Sequence, residues 1–237
     1  MKKSLGILFL IFISCKKTES PDIFIDKAIG KLENAETIKY DVSAIIKEPS
    51  ESDTIKRKSS YTFKKVEYEP YLKYHYTLQR DSLYIYYKTA ELTTVNEESK
   101  TITKYNFRDI HTVKKVVNWG GNQESIAGVI KALKNFKDDN TFTFLGKEIL
   151  HGKMTYAYSA TSEKNKDNTV NYFWFDEKNY NLVKLKTIET TFKFNNPQYR
   201  IYICDFSNII YNPPVNENIF LPVKDTTYKI IDKKSDL

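Results

Sequence analysis

Residues 38–47 read Ile38-Lys39-Tyr40-Asp41-Val42-Ser43-Ala44-Ile45-Ile46-Lys47, and their alternation decides the fold class. Apolar Ile38, Tyr40, Val42 and Ile46 alternate with polar Lys39, Asp41, Ser43 and Lys47. A period of two sends one set to each face of a strand, which is the pattern of a half-buried sheet. Runs of the same kind follow at 59–66, 71–79, 83–89 and 101–107, and again at 141–149, 154–161, 169–175, 182–194 and 198–207. Glu69-Pro70, Arg80-Asp81 and Asn96–Ser99 break the first group, and Asp176–Asn181 reads as a hairpin loop in the second. Connections this short require antiparallel neighbours, because a parallel crossover takes a dozen residues or more. The polar stretch Glu48–Lys58 reads as a loop or hairpin tip, and Asn212-Pro213-Pro214 ends the regular pattern.

Two stretches carry the helical period instead. Ser20 is a good N-cap, Pro21 suits the first helical position and Asp22 suits the positive end of the dipole. Ile25, Ala28, Ile29 and Leu32 then form one apolar stripe, with Asn34 as the stop. Between the two strand groups, Gly120-Gly121 breaks the chain and Asn122 is placed to cap a second helix. Ile126, Val129, Ile130, Leu133 and Phe136 lie along one face of it, with Lys131, Lys134 and Lys137 toward its C-terminal end. Residues 110–119 read as a looser helix before it. The inserted helix is expected to cover one sheet face, where it could also plug or gate a cavity.

The N-terminus predicts export. Lys2 and Lys3 precede an apolar run from Leu5 to Ile13, too short for a membrane span of about 20 residues. Phe12-Ile13-Ser14-Cys15 resembles the bacterial lipobox, with Phe12 where Leu is usual. That resemblance implies cleavage before Cys15 and its acylation, which anchors a protein stably when more than one chain is attached. The expected division is a signal peptide at 1–14, acylated Cys15 with a tether to residue 20, a single β domain at 21–231 and a frayed tail at 232–237. Lys16 follows the cysteine rather than the aspartate associated with inner-membrane retention, which points to the outer membrane.

Composition excludes several function classes. Without Lys2 and Lys3, 35 basic residues face 30 acidic ones, a mild and dispersed excess that does not suit nucleic acid. Cys204 is the one cysteine left besides Cys15, so no disulfide within the chain is expected, and its apolar neighbours predict a buried, inert thiol. His75, His111 and His151 are too scattered for a metal site, and no cofactor motif occurs. Asp138-Asp139 and Asp176-Glu177 pair carboxylates, but in turns, where acids are common. No catalytic residue is assigned, and an envelope hydrolase ranks last among the readings.

Local phrases carry a family resemblance. Phe144-Leu145-Gly146-Lys147-Glu148 with His151-Gly152-Lys153-Met154-Thr155-Tyr156 resembles a hairpin of LolA-like domains. So does Tyr172-Phe173-Trp174-Phe175-Asp176 running into Asn181-Leu182-Val183-Lys184, and Asn208–Phe220 resembles their closing strand and tail. That superfamily includes the periplasmic lipoprotein carrier, its outer-membrane receptor and RseB-type sensors. The resemblance implies a mainly β (α+β) half-barrel: a strongly curved antiparallel meander with an N-terminal helix and an inserted helix covering one face. It implies binding of acyl chains or lipid on the concave face, or sensing of an envelope protein partner, without catalysis. No ligand contact transfers residue by residue. Aromatic alternation offers its own candidates for a lining: Tyr61, Phe63, Tyr74, Tyr76, Tyr156, Tyr158, Tyr172 and Trp174, with Ile126, Val129, Ile130 and Leu133 of the inserted helix. Core packing and cross-strand aromatic pairing would use the same residues. In Tyr172–Phe175 both strand faces are aromatic, so inside and outside stay open there.

Overall fold

The computed structural model describes residues 19–49, 54–107, 123–138, 142–161, 168–193, 196–222 and 226–233. The signal segment, Cys15, residues 110–119 and the expected cap Asn122 lie outside them. Helix α1 spans Pro21–Asn34, with the Ser20 hydroxyl accepting from the Ile23 amide at 3.4 Å. It buries the expected stripe and Phe24 as well. The first meander comprises β1 (Thr37–Lys47), β2 (Thr54–Lys65), β3 (Tyr74–Arg80), β4 (Leu83–Lys88), β5 (Glu91–Asn96) and β6 (Thr101–Asn106). Helix α2 (Ile126–Asp138) follows. The second meander comprises β7 (Phe142–Leu150), β8 (Lys153–Thr161), β9 (Asn168–Asp176), β10 (Leu182–Lys193) and β11 (Asn196–Tyr211), and β12 (Lys229–Lys233) closes the chain.

All twelve strands form one open, curved sheet in the order β12-β6-β5-β4-β3-β2-β1-β11-β10-β9-β8-β7. The mainly β, half-barrel expectation is met. β1 joins the two meanders, pairing antiparallel with β2 on one side and β11 on the other. Its apolar set Ile38, Tyr40, Val42, Ala44 and Ile46 faces the concave side, where α1 and α2 pack into the main core. The Phe24 ring lies parallel to Tyr156 of β8, with centroids 3.9 Å apart, and the Tyr158 hydroxyl donates to the Pro21 carbonyl at 2.7 Å. Among the described residues no helix is long and apolar enough to cross a membrane.

Three stretches depart from the sequence reading. β5 was not expected, because the turn that starts it, Thr89-Ala90, carries no Gly or Asn. Both residues nevertheless adopt left-handed φ, +49° and +61°, as a two-residue hairpin turn requires. β2 begins at Thr54, so the last five residues of the polar stretch expected as a loop or hairpin tip, Thr54–Lys58, are strand paired with β1. Asp232 and Lys233, read as frayed, belong to β12, which pairs parallel with β6. To reach that edge, the chain after β11 crosses the convex face. Asn212 fastens its start, its side-chain oxygen accepting the Glu36 amide at 2.8 Å, and Phe220 of the 3-10 turn Glu217–Phe220 is buried against His75 of β3.

Replacing Phe24 by Ala removes a fully buried ring from the contact between α1 and the second meander. Such truncations cost about 3–5 kcal/mol. Urea unfolding of Phe24→Ala should show a loss in that range, whereas Ile23→Ala, at an exposed position of the same helix, should lie within about 0.5 kcal/mol of the parent.

Candidate functional site

Cover of the concave face is incomplete beyond the C-terminal end of α1. A groove of about 740 Å³ opens there, lined by Leu32 and Glu33 of α1, Phe63 and Lys65 of β2, Val66, Glu67, Leu72 and Lys73 of the β2–β3 connection, Tyr74 of β3 and Lys134 of α2. The pairing of Phe63 with Tyr76 and of Lys65 with Tyr74 places these side chains on one face. The Phe63 and Tyr74 rings are 4.5 Å apart, and behind them Tyr76 stacks on Tyr87 of β4 at 5.6 Å. Burial, reinforced by the nearby Glu69 carboxylate, pushes the Tyr74 hydroxyl up to about 12, so it stays protonated.

One wall is held by a buried carboxylate. Glu69 is fully buried, and one of its oxygens accepts the backbone N–H groups of Tyr71 at 2.9 Å, Lys73 at 2.8 Å and Leu72. Its other oxygen takes the Tyr87 hydroxyl at 2.5 Å and the Ala90 amide at 3.3 Å. Burial alone would raise its pKa. The Tyr87 hydroxyl and the three amides outweigh that and hold it below the ordinary carboxylate value. Lys73 sits at φ +62°, the conformation that turns the chain from this loop into β3. Glu69 therefore fixes Leu72 and Lys73 where they line the groove.

The rim is polar and carries more cations than anions. Lys134 pairs with Glu33, Lys65 donates to the Glu33 carbonyl, and Lys73 donates to the Glu67 carbonyl at 3.3 Å. Three ammonium groups thus meet two carboxylates around an apolar floor. α2 is seated by a second buried acid, Glu124, which receives Arg80 at 2.5 Å, Tyr61 at 3.4 Å and Ser59 at 3.5 Å. The Tyr40 hydroxyl donates to the Glu124 carbonyl at 3.2 Å and accepts the Ile126 amide at 3.0 Å.

The expected lining residues divide among four places. Phe63 and Tyr74 line the groove, with Tyr76 behind them. Tyr61 lies under Glu124, stacked on Tyr40 at 4.9 Å, and Ile126, Val129 and Leu133 are buried in the core; the Ile130 side chain is outside the described set. Tyr156 and Tyr158 pack beneath α1. Tyr172 and Trp174 are a correction: Phe173 and Phe175 take the core side of β9, so alternation puts these two on the convex face. There Lys186 and Lys184 lie over their rings and the Trp174 indole donates to Glu148, a setting that suits side chains with polar ends. Leu32, Val66, Leu72 and the three lysines were missed. Leu32 was read only as helix stripe and Lys134 only as a charge near the helix end, while Lys65, Val66, Leu72 and Lys73 were read as strand in the runs 59–66 and 71–79. β2 ends at Lys65 and β3 starts at Tyr74, so the last three belong to the connection.

Residues that could have carried chemistry have structural tasks. Cys204 is buried, and burial pushes its thiol up to about 12. Asp176 caps its turn by accepting the Lys178 amide at 2.8 Å, and Glu177 pairs with Lys147 at 2.5 Å. His75 is buried on the convex side and His151 is exposed in the β7–β8 turn, while His111 lies outside the described residues. Among the described residues no three His, Cys, Asp or Glu side chains cluster as a metal site.

No family model matches the sequence, and no curated protein matches it. Solved structures do. The chain is similar to the lipoprotein LppX of Mycobacterium tuberculosis at TM-score 0.45 and 10% identity, covering 83% of this chain and 99% of that one. It is similar to a LolA superfamily protein from Nitrosomonas europaea at TM-score 0.36 and 11% identity, covering 86% and 98%. It is also similar to the structure of Pseudomonas aeruginosa MucA/MucB at TM-score 0.40 and 6% identity, covering 88% of this chain and 62% of that one. One of these structures is thus of a LolA superfamily protein, the family that the hairpins resemble. These are partial likenesses of fold. They do not extend to what the groove holds.

Glu69→Ala should loosen the groove wall at a measurable cost in stability. It leaves the buried Tyr87 hydroxyl and four partly buried amides without an acceptor. A fully buried group left so costs about 1–3 kcal/mol, and a loss of at least about 3 kcal/mol is expected by urea unfolding. The pH sign also follows. A carboxylate whose folded pKa is lowered stabilises the fold above its unfolded value of about 4.3 and loses that contribution as pH falls through the folded value. Glu69→Gln should therefore flatten the acid limb of the stability curve relative to the parent.

Proposed function

We propose that this chain is an acylated envelope lipoprotein that holds a hydrophobic ligand, an acyl chain or lipid, in the groove between α1, α2 and the β2–β3 connection. Binding is non-catalytic. The observation that carries the reading is the groove itself. Its 740 Å³ lies within the roughly 300–1,000 Å³ typical of ligand sites. Its floor of Leu32, Phe63, Val66, Leu72 and Tyr74 is apolar, and Lys65, Lys73 and Lys134 surround it. That combination suits a hydrocarbon tail with an anionic head, because ammonium groups near a carboxylate or phosphate form charge-assisted hydrogen bonds. Fixed walls help as well. The Glu69 turn and the Glu124 pins leave little ordering to be done when a ligand enters.

Cys15 is the proposed acylation site, and the outer membrane is the proposed location, from the lipobox-like sequence and the Lys16 that follows it.

A fluorescent fatty acid titrated into the chain from residue 15 onward, with Cys15→Ser, tests the binding reading. Saturable binding is expected, weakened at least tenfold by Leu72→Glu, which puts a carboxylate on the apolar wall, and unchanged by Tyr172→Ala on the convex face. Binding that ignores Leu72→Glu, in a variant whose circular dichroism matches the parent, would place the ligand elsewhere. No saturable binding at all would remove the reading.

A further inference from the structure

The sheet ends at β7, and exposed apolar side chains gather there. Phe144, Leu145 and Ile149 of β7, Met154 of β8 and Ile23 in the first turn of α1 are five of the eleven large hydrophobics exposed among the described residues. Ile149 is 70% exposed and Leu145 52%. Pairing sets Ile149 opposite Met154 and Phe144 opposite Tyr158, so these side chains share the face on which α1 begins. The Phe144 ring lies 5.6 Å from that of Tyr156, which stacks on Phe24. Lys147, whose ammonium lies over the Tyr156 ring at 4.4 Å, sits between Phe144 and Ile149 on this face, and exposed apolar side chains grouped around a cation in this way mark a contact site.

The start of the described chain decides the occupant. The Tyr156 hydroxyl donates to the Glu19 carbonyl at 3.5 Å and the Tyr180 hydroxyl to its carboxylate at 3.1 Å, which fixes Glu19 beside the patch. Cys15 lies only four residues earlier. Four residues reach at most about 14 Å, so an acyl group on Cys15 brings a bilayer surface within that distance of the β7–β8 edge. Lys16 and Lys17 put two cations in the tether itself, which an anionic leaflet attracts. The groove lies at the other end of α1, whose 14 residues span about 21 Å.

We infer that the β7–β8 edge is a membrane-docking face, with Ile149, Met154 and Leu145 seated at the boundary between headgroups and acyl chains. The inference rests on the acylation of Cys15 proposed above. Docking by this face holds the groove clear of the bilayer, open to a ligand arriving from the aqueous side.

The test uses the acylated full-length product carrying Met154→Cys, labelled with a polarity-sensitive fluorophore. It is reconstituted in phosphatidylethanolamine and phosphatidylglycerol vesicles that contain a brominated lipid quencher. Cys204 is buried and does not compete for label. Phe192→Cys is the control: it is exposed and lies ten residues along β10 from Leu182, about 33 Å away along the strand. The result expected is co-flotation with vesicles, at least twofold quenching of the 154 label by brominated lipid and none at 192. Co-flotation with the 154 label open to aqueous iodide and untouched by brominated lipid would overturn the docking and leave the acylation standing. A 154 label shielded from both quenchers would also overturn it, by giving the edge to a second copy or another protein. Failure to float would overturn the acylation reading and the docking with it.

Discussion

The parallel stack of Phe24 on Tyr156 seats α1 in the concave face, and most of the remaining architecture depends on that seating. A sheet that curves without closing has one apolar face that water must not reach. In the second meander α1 and α2 meet that need, burying Tyr158, Phe173, Phe175 and Leu185 beneath them. α1 ends at Asn34, and beyond Leu32 and Glu33 the first meander keeps a smaller cluster of its own around Tyr87, Leu92, Tyr105 and Phe107. The groove lies where the helical cover stops. It is a consequence of how long α1 is relative to the sheet it covers.

Buried charge sets the details that hydrophobic cover leaves loose. Glu69 and Glu124 each take an unfavourable position and are held there by several donors. A buried carboxylate with that many directed partners tolerates little movement, since each lost hydrogen bond exposes its desolvation cost. Glu69 therefore specifies the β2–β3 connection, and Glu124 specifies where α2 enters the core. The convex face is organised differently, by a strap of chain fastened through Asn212 and Phe220 that carries β12 to the far edge.

Much of this was legible from the residues. Period-two alternation in Ile38–Lys47 and the short connections after it are enough for an antiparallel meander, and the stripe of α1 is plain. The aromatic pairs were placed on common strand sides correctly, yet the side itself was undetermined where both faces are aromatic. Tyr172 and Trp174 went outward because Phe173 and Phe175, with no polar atom to satisfy, are the better core residues. β5 escaped because Thr89 and Ala90 adopt a turn that residues of their type seldom adopt. β12 escaped because its partner, β6, is more than a hundred residues away in the chain. The groove walls were the least legible part. Glu69-Pro70 reads only as a break, and nothing local reveals that the carboxylate turns inward and gathers the loop around itself.

The account stands on the groove being a place where a hydrophobic ligand resides. Native mass spectrometry on the chain from residue 15 onward with Cys15→Ser, purified from a lipid-containing envelope fraction, tests that directly. The account predicts a discrete excess mass that dissociates as a phospholipid or other acyl species. A clean apo mass, unchanged after lipids are added, would contradict it.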